Sequence, residues 1–276
     1  VTVTLAPVRP EAARRSRFAG SLYAGNARSV VGRGLLATKS TNWAVVVSGF
    51  FEPVFYLLSM GIGLGVLVGT VSTGGQQVSY PAFIAPALLA VSAMNGAIYD
   101  STWNVFFKMQ YAKTYEGMLT TSLGPLDVAF GEISLALLRG AVYAAGFMAV
   151  MQLFGLNLAW TAILALPAVL LIAFGFASLG MAITSYMKTF QQMDWIAFIL
   201  LPMFLFSATF YPLSVYPQPI QWVIQALPLW HGVELVRGLT TGALSIAMLW
   251  HVLYYLVMIA VGLVFTTNRL RALFLD

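Results

Sequence analysis

The stretch Leu158–Tyr186 reads LAWTAILALPAVLLIAFGFASLGMAITSY and contains no Asp, Glu, Lys or Arg. A bilayer's hydrocarbon core is about 30 Å thick, and a helix needs about 20 mostly apolar residues to cross it. This segment exceeds that length. Five more apolar runs lie to either side of it: Trp43–Val68, Pro81–Phe107, Val128–Phe154, Met193–Tyr211 and Leu244–Thr267. Composition agrees, since 60% of the chain is hydrophobic and 8% charged, whereas soluble domains carry roughly 25% charged residues. So few charges cannot cover a water-facing surface, and lipid is the solvent for most of the chain. The expected fold class is all-α integral membrane, with six transmembrane helices.

Orientation follows from Lys and Arg in the connections. Arg9, Arg14, Arg15, Arg17, Arg28, Arg33 and Lys39 all precede the first run. Lys108 and Lys113 lie between the second and third, Lys188 between the fourth and fifth, and Arg269 and Arg271 after the sixth. The opposite connections, 70–80 and 154–157, hold none, and 212–243 holds only Arg237. An even span count with this bias puts both termini in the cytoplasm. With no cleavable signal peptide apparent, the first span is expected to target the chain. A basic amino-terminal cluster without a soluble fold points to a membrane surface rather than to nucleic acid.

Two segments break the simple bundle. Residues 1–42 form a cytoplasmic tail in which basic residues interleave with Phe18, Leu22, Tyr23, Val30, Val31, Leu35 and Leu36. That pattern suits a helix lying in the interface, with a disordered basic tail as the alternative. Residues 43–276 form the six-span transmembrane region. Within it, segment 212–243 is punctuated by Pro212, Pro217, Pro219 and Pro228. Prolines so placed start and stop short helices. Short re-entrant helices before the last span are expected there, or else a structured external loop.

Ionisable residues at membrane depth are functional candidates. At 1.5 Å per residue, Glu52 lies about 13 Å beyond Trp43, Arg139 about 16 Å beyond Val128, and Asp100 about 10 Å before Phe107. With Glu132, they fall in the inner half of the bilayer and can neutralise one another. A structural ion-pair cluster and a polar lining or gate of a transport path both fit. The aromatics Phe51, Phe55, Tyr56, Trp103, Phe106 and Phe107 are candidates for lining the same route. Gly61, Gly65 and Gly69 form a doubled G-x-x-x-G face that lets helices approach closely, either inside the bundle or toward a second subunit. Pro167 and Pro202 are expected to kink their helices.

Several chemistries are excluded. Without cysteine there are no disulfides or thiolate sites, and His231 and His251 are the only histidines. The sequence Gly34-Leu-Leu-Ala-Thr-Lys39-Ser40 ends like a phosphate loop, but Thr38 replaces the required glycine and no strand precedes it. Cytoplasmic-loop acids are limited to Glu116 and Asp127, so enzyme activity is not expected of this chain alone. No cofactor or metal is expected in it.

The run Tyr115-Glu116-Gly117-Met118-Leu119-Thr120-Thr121-Ser122-Leu123-Gly124-Pro125-Leu126-Asp127-Val128, followed by Gly131-Glu132, resembles the loop after the second span in NodJ-type permeases of the type-2 ABC exporter family. Phe206-Ser207-Ala208-Thr209-Phe210-Tyr211-Pro212-Leu213 and Leu227–Gly238 are similar to that family's other hallmark, and Glu52-Pro53 is a weaker match. The resemblance implies a permease that dimerises with an identical or related copy and couples to two cytosolic ABC ATPase subunits, which bind the ATP and Mg. It makes 108–127 a coupling loop, with Tyr115, Glu116, Gly117 and Met118 in the helix that meets the ATPase. It places re-entrant outer helices over 217–242, where His231, Glu234 and Arg237 share one face as an outer gate or as a local Glu–Arg pair. It also implies export of amphipathic cargo (lipid-linked oligosaccharide, glycolipid or hydrophobic drug) across a bacterial cytoplasmic membrane. An ATP-independent secondary transporter or channel would instead show inverted repeats, and none is evident. A membrane scaffold lacks a use for the coupling-type loop.

Overall fold

The computed structural model describes residues 25–38, 51, 53–73 and 75–274. Glu52 and most of the basic tail, like the start of the first apolar run, lie outside them. The described residues form ten helices, a short 3₁₀ turn at Leu213–Val215 and one hairpin. Helix α1 is Ala27–Thr38 and α2 is Pro53–Val68. Strands β1 (Thr70–Thr73) and β2 (Gln76–Ser79) follow, then α3 (Tyr80–Tyr111) and α4 (Thr114–Leu119). Next come α5 (Pro125–Leu153), α6 (Trp160–Tyr186) and α7 (Phe190–Phe206). The chain ends with α8 (Gln218–Ala226), α9 (Pro228–Thr241) and α10 (Ala247–Phe274).

Four of these helices, α3, α5, α6 and α10, are long and apolar enough to cross a membrane; α2 and α7 are apolar but shorter. α6 sits at the centre. It runs along α10 and also touches α3, α5 and α9. Its neighbours come close because the contacts use glycine. A Cβ added to Gly262 of α10 would stand 2.6 Å from the Ser178 carbonyl carbon, and one on Gly175 would stand 2.6 Å from the Tyr255 ring. Most hydroxyls along α6 are satisfied inside the helix, with Ser178 donating to Gly175 O and Thr184 to Gly180 O, while Thr161 donates to Leu239 O of α9. Lipid would offer them no partner.

The segment 70–79 is not a plain loop. It folds as an antiparallel hairpin in which Val71 pairs with Val78 and Gly75 takes φ +77°. The expected fifth span also differs in extent. α7 begins with a short 3₁₀ turn and stops at Phe206, where Ser207 is buried and Ala208 enters the left-handed region at φ 55°. Pro202 lies inside that helix, and Pro167 follows the change from a 3₁₀ turn to α-helix in α6. Gly61 and Gly65 both face Pro81 at the start of α3. Their small face is therefore used inside the bundle.

α1 docks on α5 through interlocking shapes. Val30 is buried against Gly131, where any Cβ would collide with it, and Gly34 faces the Leu135 side chain in the same way. Asp127 fixes the junction: its carboxylate accepts from the Asn26 and Gly124 backbone N–H groups, both at 2.9 Å. The second of these is an acid in the first turn of α5 reaching back to the cap residue.

Candidate functional site

Two polar groups lie toward the α4 end of the bundle. In the first, Arg139 of α5 donates to Asp100 of α3 at 2.6 Å, and Asn104 adds a bond to the same oxygen at 3.1 Å. Asp100 and Asn104 sit in a wide, π-type turn of α3, Asp100–Asn104, and a second wide turn, Phe107–Tyr111, carries Lys108. Such turns shift the side-chain directions of a helix and recur at functional sites. In the second group, Glu132 of α5 receives a bond from Lys108 at 2.5 Å and faces Arg33 of α1 at 3.5 Å.

Among the described residues, these acids and bases pair as two sets. Asp100 pairs with Arg139, while Glu132 takes its cations from Lys108 and Arg33. Lys108 and Arg33 were read only as topology signals. Depth along α3 was the signal available for Lys108, since it lies two helical turns beyond Asp100. Glu52 lies outside the described residues.

The Asp100–Arg139 pair lines a cavity of about 620 Å³ between α2, α3, α5 and α7. Tyr56, Asn95, Tyr99 and Phe204 share its wall. Of the aromatics proposed for the route, Tyr56 is on that lining, while Phe106 is buried elsewhere, against Met187 and Met193. The volume is that of a small-molecule site, apolar over most of its wall and with one internally neutralised ion pair.

Between α3 and α5 the short α4 stands as a bracket. Lys113 starts it from the left-handed region at φ 47°, and hydroxyl bonds from Thr120 to Gly117 O and from Thr121 to Met118 O close it. The four residues expected to meet a partner divide by face. Tyr115 and Met118 are buried, whereas Glu116 and Gly117 are exposed and available. Burial pushes the Tyr115 phenol well above its ordinary value, and the nearby Glu132 charge adds to the rise.

At the far end of the bundle, Arg237 of α9 is buried and fully engaged. It donates to Glu234 at 2.7 Å and to Ala208 O at 2.8 Å, reaches Phe83 O at 3.4 Å, and lies 4.0 Å over the Phe83 ring. The left-handed turn at Ala208 thus presents a carbonyl to this guanidinium. His231 lies on the same helix but pairs with His251 of α10, Nδ1 to Nδ1 at 2.7 Å, and stacks on Tyr254. The sequence gives no sign of this pairing, because His251 sits about two turns inside the last apolar run.

The family model for the ABC-2 type transporter matches residues 27–241, from the start of α1 to the end of α9. The chain belongs to the ABC-2 type transporter family. Among relatives, nodulation protein J of Rhizobium leguminosarum bv. viciae is 32% identical over 241 residues, covering 87% of this chain and 91% of the relative. The bv. trifolii protein of the same name is 32% identical over 240 residues, covering 87% and 90%. That of Rhizobium meliloti is 29% identical over 213 residues, covering 76% and 79%. As an ABC-2 transporter membrane subunit, the chain serves transport rather than catalysis. Its match spans the docked α1, both polar groups, the bracket α4 and the Arg237 clasp.

Proposed function

We propose that this chain is the permease subunit of an ATP-driven exporter in a bacterial cytoplasmic membrane, working as a dimer with an identical or related copy. Two cytosolic ABC ATPases bind and hydrolyse the ATP with its Mg, and α4 takes up their motion. The observation that carries this reading is the form of α4. It is a short helix with Glu116 and Gly117 outward and Tyr115 and Met118 buried, set between two long membrane helices. A helix held at both ends and rooted in the bundle passes a push at its outer face on to α3 and α5.

In this reading the membrane is crossed six times, by α2 with residues before it and by α3, α5, α6, α7 and α10, with both termini in the cytoplasm. The bias of Lys and Arg supports that topology. α8 and α9 dip into the outer leaflet, and Arg237 clasps α9 to α3 and to the Ala208 turn as the outer closure. Amphipathic cargo enters the cavity beside Asp100 and Arg139. Its apolar part lies along Tyr56 and Phe204, and its polar part faces the ion pair and Asn95. A lipid-linked oligosaccharide, a glycolipid and a hydrophobic drug all have that character.

Co-purification tests the reading. A soluble protein with a complete Walker motif is expected to come down with the chain from native membranes, and Glu116→Arg is expected to cut its yield severalfold while leaving the permease folded. Absence of any ATPase, together with transport driven by an ion gradient, would contradict it.

A further inference from the structure

Two buried atoms at the α4 end of the bundle lack hydrogen-bond partners: the Tyr115 hydroxyl and Glu132 Oε1. One is a donor and the other an acceptor. They lie on α4 and α5, two helices that are in contact. Native interiors leave few polar atoms unmade, because each such atom forfeits its hydration without replacement. Two complementary ones on touching helices point to a bond that is open in this arrangement. We propose that Tyr115 donates to Glu132 Oε1 in a second position of α4, and that Glu132 exchanges Arg33 for Tyr115 as α4 moves.

Each partner suits the exchange. Tyr115 is fully buried, and its phenol is a donor at neutral pH. Glu132 Oε2 is held by Lys108, which anchors the carboxylate to α3 in both positions. Oε1 meets only the looser 3.5 Å approach of Arg33, whose side chain is 46% exposed and can be released to water. α5 is the fixed side, because Asp127 caps its start and Val30 wedges against Gly131. α4 is the movable side, since it leaves α3 through the left-handed Lys113 and has open space around Gly117. The carboxylate would thereby report α4's position to α1, through gain or loss of Arg33. Its use in coupling rests on the exporter reading, but the exchange itself does not.

The chain has no cysteine, so two spin labels can be placed without further changes: Thr120→Cys at the end of α4, outside the four residues expected to meet the ATPase, and Leu138→Cys on the exposed side of α5. The distance distribution between them is measured in lipid nanodiscs. Two populations are expected. Arg33→Gln frees Oε1 and should enrich the Tyr115-bonded population, whereas Tyr115→Phe should remove it, each changing the ratio by about tenfold. Both variants keep the packing of α1 and α4, and monodisperse elution checks that they fold. Distributions for Arg33→Gln and Tyr115→Phe that superimpose on the parent's would overturn the proposal. A ratio that responds to both variants but not to ATP with the cognate ATPase would support the exchange while removing its role in coupling.

Discussion

Arg139 and Asp100 show what one buried pair sets at the residue scale. Asp100 is 8% exposed and depends on Arg139 and Asn104 for its bonds. Replacing Arg139 with Leu leaves a buried carboxylate without its cation, an error that costs about 3 kcal/mol or more. Arg139→Leu is therefore expected to lower the apparent Tm of the detergent-solubilised protein, and adding Asp100→Asn should restore most of the loss. A single variant with an unchanged Tm and abolished transport would assign the pair to the cargo path alone. Arg237 makes a second residue-scale case. Arg237→Met removes bonds to Glu234, Ala208 O and Phe83 O together, and a loss of about 3 kcal/mol is expected. Limited proteolysis of segment 206–217 should read it as faster cleavage.

Glycine governs approach at the element scale. Gly262 brings α10 against the α6 backbone at Ser178 and Leu179, while Gly63 of α2 has nothing within 4 Å. Gly262→Ala forces backbone apart and should cost about 1–3 kcal/mol, whereas Gly63→Ala should leave thermal stability unchanged. Equal behaviour of the two in a thermal-shift assay would contradict this packing of α6 on α10. Much of the element order was legible beforehand, because helices in lipid declare themselves by length and by the absence of charge. α3, α5, α6 and α10 are such cases. The hairpin was not read, since each strand has four residues and one valine, too short for alternation to stand out. Gly74-Gly75 was its one turn signal. The split inside α4 was equally hidden. A six-residue helix between polar neighbours gives no periodicity from which to tell Tyr115's face from Glu116's.

For the whole molecule, a bundle centred on α6 carries one polar group near each of three places where movement would matter: the cavity, the bracket α4 and the α9 clasp. The residues of those groups were mostly legible as charges at improbable depth. Their partners were not, because pairing depends on how helices face one another. Glu132 thus went to Lys108 and Arg33, and His231 to His251. Energy from outside the chain is the central claim. It is tested most directly in inside-out vesicles holding this chain with its co-purified ATPase and a fluorescent amphipathic cargo. Uptake is predicted to require hydrolysable ATP, to survive an ionophore that collapses ion gradients, and to fall at least severalfold in Glu116→Arg. Uptake that proceeds without ATP and stops with the ionophore would contradict the account.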